Sequence, residues 1–204
     1  MTPPRSAPGA GRLLALLLAS LIVALAGSDG HAANDARAPS TADRPTDYDV
    51  IANYLAAFCR YVTWPSTNGV PAEAPLRIGV VGPNPFGSTL DRFLAAKAHN
   101  GRPLAAVYAT TAEQAAGCQL VFVAFNRSSE RAATLRFFAD QPVLTVVYLG
   151  SDTGDSPTGA AIELVRAGNN IRYLLNPTVL SAQQLQATPG LLENAQRRIG
   201  GDKP

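Results

Sequence analysis

The chain has 204 residues, 47% of them hydrophobic, with 17 Lys and Arg against 15 Asp and Glu and a formal net charge of +2. That near balance, with no block of basic residues, excludes a nucleic-acid partner, which needs a concentrated positive face. Two cysteines and two histidines are present, and neither cysteine has metal-ligand spacing to another Cys or His.

Arg5 and Arg12 flank the start of an apolar run over residues 13–26, LLALLLASLIVALA. The run has the length of a signal-peptide core and is short of the roughly 20 residues a membrane span needs. Ala24-Leu25-Ala26 supplies an A-x-A cleavage pattern, and the small residues of Gly30-His31-Ala32 offer a second cleavage option downstream. The expectation is a signal peptide over 1–26 and a disordered leader over 27–45, rich in small, polar and proline residues. Export would place the protein in the periplasm. The remaining stretch, 46–200, is long enough for one core.

Residues 48–62 place Val50, Ile51, Tyr54, Leu55, Phe58 and Val62 at helical spacing, with Thr46 or Asp47 as cap and Trp64-Pro65 as stop. Residues 76–81 (LRIGVV) read as an apolar strand closed by Gly82-Pro83-Asn84-Pro85, then 86–98 as a helix. Asn100-Gly101 marks a turn, 103–109 a strand and 111–116 a short helix. Residues 120–125 and 143–149 are continuous apolar strands of the kind covered on both faces, with a helix over 128–139 between them. A Gly- and Asp-rich loop, 150–159, precedes a hairpin of 160–166 with 171–175. Asn176 and Pro177 begin another helix, and a last amphipathic helix is expected over 191–199. The alternation predicts a single α/β domain: a mostly parallel sheet, helices on both faces, and a C-terminal antiparallel hairpin at one edge. Ligands in such sheets favour the loops at the strand C-termini, here after Val81, Phe125 and Leu149.

The stretch from Gly82 to Thr89 falls one residue short of a phosphate-binding loop. Ser88 stands where the lysine belongs, and Pro83 and Pro85 delete N–H donors. A capped strand-to-helix turn is the expected reading. Cys59 and Cys118 invite pairing in an oxidising compartment, closing a loop of about 60 residues, provided their Cα atoms approach to within about 7 Å; otherwise they are two buried thiols. No G-x-S-x-G turn occurs, and His99 is the one imidazole outside the leader, so no catalytic residue, metal or cofactor is expected. Arg60, Trp64, Asn84, Phe86, Glu163 and Arg172 are the candidate ligand- or partner-binding residues. Glu163 and Arg172, on neighbouring hairpin strands, are alternatively a surface ion pair.

Several segments, in order, resemble the YfiR-like family of periplasmic regulatory proteins. Residues 54–65 (YLAAFCRYVTWP) are similar to its opening helix, residues 76–87 (LRIGVVGPNPFG) to its strand and N-P-F-G turn, and Asn100-Gly101-Arg102-Pro103 to its N-G-R-P step. Residues 116–123 (AGCQLVFV) resemble its G-C-x-x-L/V-F strand, and Ile162-Glu163-Leu164-Val165 with 170–176 its final hairpin and helix start. Cys59 falls where the family often has an apolar residue, and the family's usual ending is matched only loosely over 183–192. The resemblance implies a non-catalytic regulator. It would restrain an inner-membrane signalling protein of the diguanylate cyclase type, be sequestered by an outer-membrane lipoprotein, form a homodimer and respond to a redox or small-molecule cue. The rival expectations are a periplasmic small-molecule receptor, with its ligand near Asn84, Phe86 and Arg172, and a hydrolase using His99.

Overall fold

The computed structural model describes residues 46–65, 74–99, 101–151 and 157–199. The expected signal peptide and leader, His31, and Asp152 and Asp155 of the Gly-rich loop lie outside the described residues.

Helix α1 spans Asp47–Tyr61. It starts there because Thr46 and Asp49 form a reciprocal capping box, Thr46 accepting from the Asp49 N–H while the Asp49 carboxylate accepts from the Thr46 N–H. Its apolar stripe carries Ile51, Leu55 and Phe58 into the core, each at most 1% exposed, and each such burial contributes about 1.5–3 kcal/mol. Val62, with extended backbone, ends it.

The short β1 (Val62–Thr63) leads to β2 (Leu76–Val81), α2 (Thr89–Ala95), β3 (Ala98–His99) and β4 (Arg102–Ala109). A 3-10 turn at Glu113–Ala115 precedes β5 (Leu120–Val123), α3 (Ser128–Phe137) and β6 (Leu144–Tyr148). Then come β7 (Ile162–Ala167), β8 (Asn170–Leu175), α4 (Pro177–Ala182), β9 (Gln186–Ala187), α5 (Pro189–Glu193) and β10 (Arg197–Arg198). The main sheet runs β10-β8-β7-β6-β5-β2-β4-β3. Strands β4, β2, β5, β6 and β7 are mutually parallel, and β7 and β8 form the antiparallel hairpin. β1 and β9 make a separate antiparallel pair.

This is the expected α/β architecture. One core lies between the sheet and α1, α2, α4 and α5, and the other between the sheet and α3 with the 3-10 turn. β5 and most of β6 are buried on both faces, as their unbroken apolar sequence implied. Gly79 is fixed by crowding: a Cβ there would meet Cys118 Sγ at 3.2 Å and Ala115 Cβ at 3.3 Å.

Besides the unexpected two-residue strands and a 3-10 turn where a short helix was expected over 111–116, two expected helices differ from the sequence reading. α2 begins at Thr89 rather than Phe86, because Asn84 and a left-handed Gly87 (φ +54°) hold the preceding residues in a turn. The helix expected over 191–199 stops at Glu193. Beyond it Arg197 and Arg198 pair in parallel with Leu174 and Leu175, and Ile199 packs on Val165 and Leu174.

Candidate functional site

α1 is tied to the rest of the fold along its whole length. At its N-terminus the Asp47 carboxylate accepts from both the Tyr148 hydroxyl and the Arg166 guanidinium. In the middle the Tyr54 hydroxyl donates to the Ile171 carbonyl at 3.0 Å. Past its C-terminus the Trp64 indole Nε1–H donates to the Gln119 carbonyl at 2.8 Å, fastening the Trp-Pro corner to the foot of β5. The Thr188 N–H donates to the Tyr61 carbonyl beside the β1–β9 pair.

One recess flanks the C-terminal half of this helix, and a second lies just past its end. The first is a groove of about 410 Å³ against β8 and α5, lined by Tyr54, Phe58, Tyr61, Arg172, Tyr173 and Asn194. Tyr54 stacks on Phe58 at 5.6 Å, and both meet the Tyr173 ring edge-on, at 6.0 and 5.5 Å. The Tyr173 hydroxyl donates to the Leu191 carbonyl at 2.8 Å, which fixes the groove floor. At the rim stand Tyr61, 43% exposed, and the exposed Arg172. An aromatic floor with a rigid phenol and a guanidinium at the rim suits contact with another molecule, since these side chains combine large apolar area with polar tips.

The second recess, of about 490 Å³, lies under the strand N-termini and is lined in part by Trp64, Leu76, His99, Arg102 and Gln119. His99 is less basic than an ordinary histidine, first because it is partly buried and then because Arg60 and Arg102 are near. A third and more open recess, about 570 Å³, sits at the C-terminal ends of β4 and β5 between Thr110, Phe125 and Glu130. Only this last one occupies the strand-end position expected for a ligand, and only at Phe125.

The candidate residues do not converge. Arg60 is exposed at the end of α1, and Trp64 lines the second recess. Arg172 lines the first. Asn84 is a turn builder: its side-chain oxygen accepts from the Phe86 N–H at 2.9 Å and its amide donates to the Gly87 carbonyl at 3.0 Å. Phe86 is a core plug, 4% exposed, packed edge-on to Phe122 at 5.1 Å and Tyr48 at 5.5 Å. Glu163 is 3% exposed, and its carboxylate accepts from the Thr158 N–H and hydroxyl at 2.5 and 2.7 Å. It therefore makes no pair with Arg172, which stands across the hairpin from Val165. Asn84, Phe86 and Arg172 form no common ligand site.

Cys59 and Cys118 are free, buried thiols. Cys59 belongs to the core under α1 and Cys118 to the core under α3. Burial pushes the Cys59 thiol up to about 12 and raises that of Cys118 as well. Sequence reasoning singled out Tyr61 among the polar and aromatic residues near the end of α1, but missed Tyr173 and Arg102 as lining residues. The Asn100-Gly101 step, of which Asn100 lies outside the described residues, was the available signal for Arg102, which pairs with His99 across β3 and β4.

Among the described residues no group of three or more His, Cys, Asp and Glu could hold a metal ion, and no helix is long and apolar enough to cross a membrane. The fold and recesses define an α/β domain in which the two recesses near the end of α1 are faced with aromatic and basic side chains. The chain belongs to the YfiR/HmsC-like family, whose pattern it matches over residues 48–196. That family is regulatory, works in the context of cyclic-di-GMP signalling and is typically periplasmic. Among curated proteins, none matches the chain significantly.

Proposed function

We propose that this chain is a periplasmic regulator, exported by residues 1–26, whose domain over 46–200 binds and restrains an inner-membrane signalling enzyme of the diguanylate cyclase type. The partner surface is the groove between α1 and the β8–α5 segment. Release comes from a small-molecule cue or from capture by an outer-membrane lipoprotein. The observation that carries the reading is the exposed Tyr61 and Arg172 over a rigid aromatic floor, in a chain of a regulatory family. Buried thiols of raised pKa on opposite faces of the sheet make a poor redox sensor, because reactivity needs an accessible thiolate. In this reading the cue is a small-molecule ligand, and the domain regulates without catalysis of its own and without a cofactor.

The test is a pull-down from detergent-solubilised membranes of the host, using residues 27–204 as bait and mass spectrometry as the readout. A membrane cyclase retained by the wild type and lost with Tyr61→Ala plus Arg172→Ala supports the reading. A cyclase held equally by both baits removes the groove as its surface, and no signalling enzyme with either bait removes the regulator.

A further inference from the structure

Arg102 opens β4, and its Nε–H donates to the Ala74 carbonyl at 2.7 Å. Its Nη2 is shut off from solvent and meets no hydrogen-bond acceptor among the described residues. An unsatisfied donor is costly, most of all on a charged group, and natural proteins leave few of them. Arg102 as a whole is only partly buried, and it lines the recess beside it.

That recess is built for a negative group with an apolar body. His99 stands opposite Arg102 in the β3–β4 pair, where facing side chains project to the same side. Arg60 adds positive potential at His99. Leu76, Val143 and the Trp64 ring supply apolar wall, and no acidic side chain lines the recess among the described residues. The neighbouring amides are already engaged: the Gln119 side chain accepts from the Arg77 N–H and donates to the Gly117 carbonyl. Trp64 has committed its N–H to the Gln119 main chain. The lining thus includes a guanidinium, one of whose nitrogens has no acceptor among the described residues, next to hydrophobic surface.

We infer that the recess binds a small monocarboxylate, its carboxylate on Arg102 beside His99 and its apolar part against Trp64, Leu76 and Val143. A planar guanidinium matches a carboxylate with paired N–H donors. A phosphate dianion would bring more charge than one guanidinium and one imidazole can satisfy out of water. The inference goes beyond the regulatory reading and stands without any protein partner.

Trp64 is the only tryptophan in the chain, so its fluorescence reports on the recess directly. Residues 27–204 are titrated with hexanoate, with hexanamide as the uncharged isostere and inorganic phosphate as the anion without an apolar body. A saturable change with hexanoate in the millimolar range, absent with hexanamide and at least about tenfold weaker in Arg102→Gln, is the expected result. Arg102→Lys should restore part of the affinity. No saturable response overturns the proposal, as does a response of equal strength to hexanamide or to phosphate, or one unchanged in Arg102→Gln. If Arg102→Gln fails to fold by circular dichroism, the comparison moves to His99→Gln, which must weaken hexanoate at least about threefold for the proposal to survive.

Discussion

Cys59 packs beneath α1 and Cys118 beneath α3, so the sheet itself stands between the two thiols. A disulfide between them would have to pass through β2 and β5. The protein purified without reductant should therefore carry two free thiols. A chromogenic thiol reagent should label both promptly in denaturant and neither promptly in native buffer. A denatured titre near zero would mean that the bridge forms.

Trp64→Phe keeps an aromatic ring at the Trp-Pro corner but removes the donor to the Gln119 carbonyl. The loss should cost about 1–2 kcal/mol, seen as a lower urea midpoint by circular dichroism with an unchanged slope. An unaltered midpoint would show that the corner is held by packing alone.

Phe86→Ala tests whether this residue is core or contact. A ring 4% exposed between Tyr48 and Phe122 should cost about 3–5 kcal/mol when truncated. A nearly silent substitution in thermal unfolding would make Phe86 a surface contact instead.

The Tyr108 phenol is pushed up to about 12, by burial first and then by its 2.7 Å hydrogen bond to the Asp91 carboxylate. The folded state therefore holds this proton more tightly than the unfolded state does. The contribution is fully present below about pH 10, the unfolded phenol value, and disappears as the pH climbs through about 12. Ultraviolet titration should show less early phenolate in the wild type than in Asp91→Asn; identical curves would rule the carboxylate out as a cause.

His99 works in the opposite direction, since burial and then Arg60 and Arg102 depress its affinity for a proton. The unfolded chain binds that proton more readily, so stability is fully present above the ordinary histidine value of about 6.5 and declines as the pH falls through it. The thermal midpoint of His99→Gln should fall less than that of the wild type between pH 7.5 and 5.5; parallel curves would exclude His99 as the titrating group.

The sequence made the middle of the sheet readable and its margins opaque. β5 and β6 announce themselves because both faces are covered, leaving continuous apolar letters. Thr46 with Asp49, and Asn176 with Pro177, mark helix starts through local hydrogen bonding, which a sequence can show. The two-residue strands β1, β3, β9 and β10 have no periodicity to read, being set by what they lie against. The same limit hid the sites. Whether Cys59 faces Cys118, or Glu163 faces Arg172, depends on which side of the sheet each residue takes. Tyr173 and Tyr61 share a groove only because α1 lies across β8.

Three of the bonds that anchor α1 have a consequence for how the chain acquires its shape. Asp47 answers to Tyr148 and Arg166, and Tyr54 to Ile171, which are separated by 101, 119 and 117 positions along the chain. The earliest helix of the domain therefore waits on the latest hairpin, and contacts this distant are slow to close. A nascent chain that has not yet delivered Ile171 leaves Ile51, Leu55 and Phe58 without the partners that cover them. In that interval the buried stripe of α1 is exposed apolar surface, and only the completed hairpin lets it close over the core.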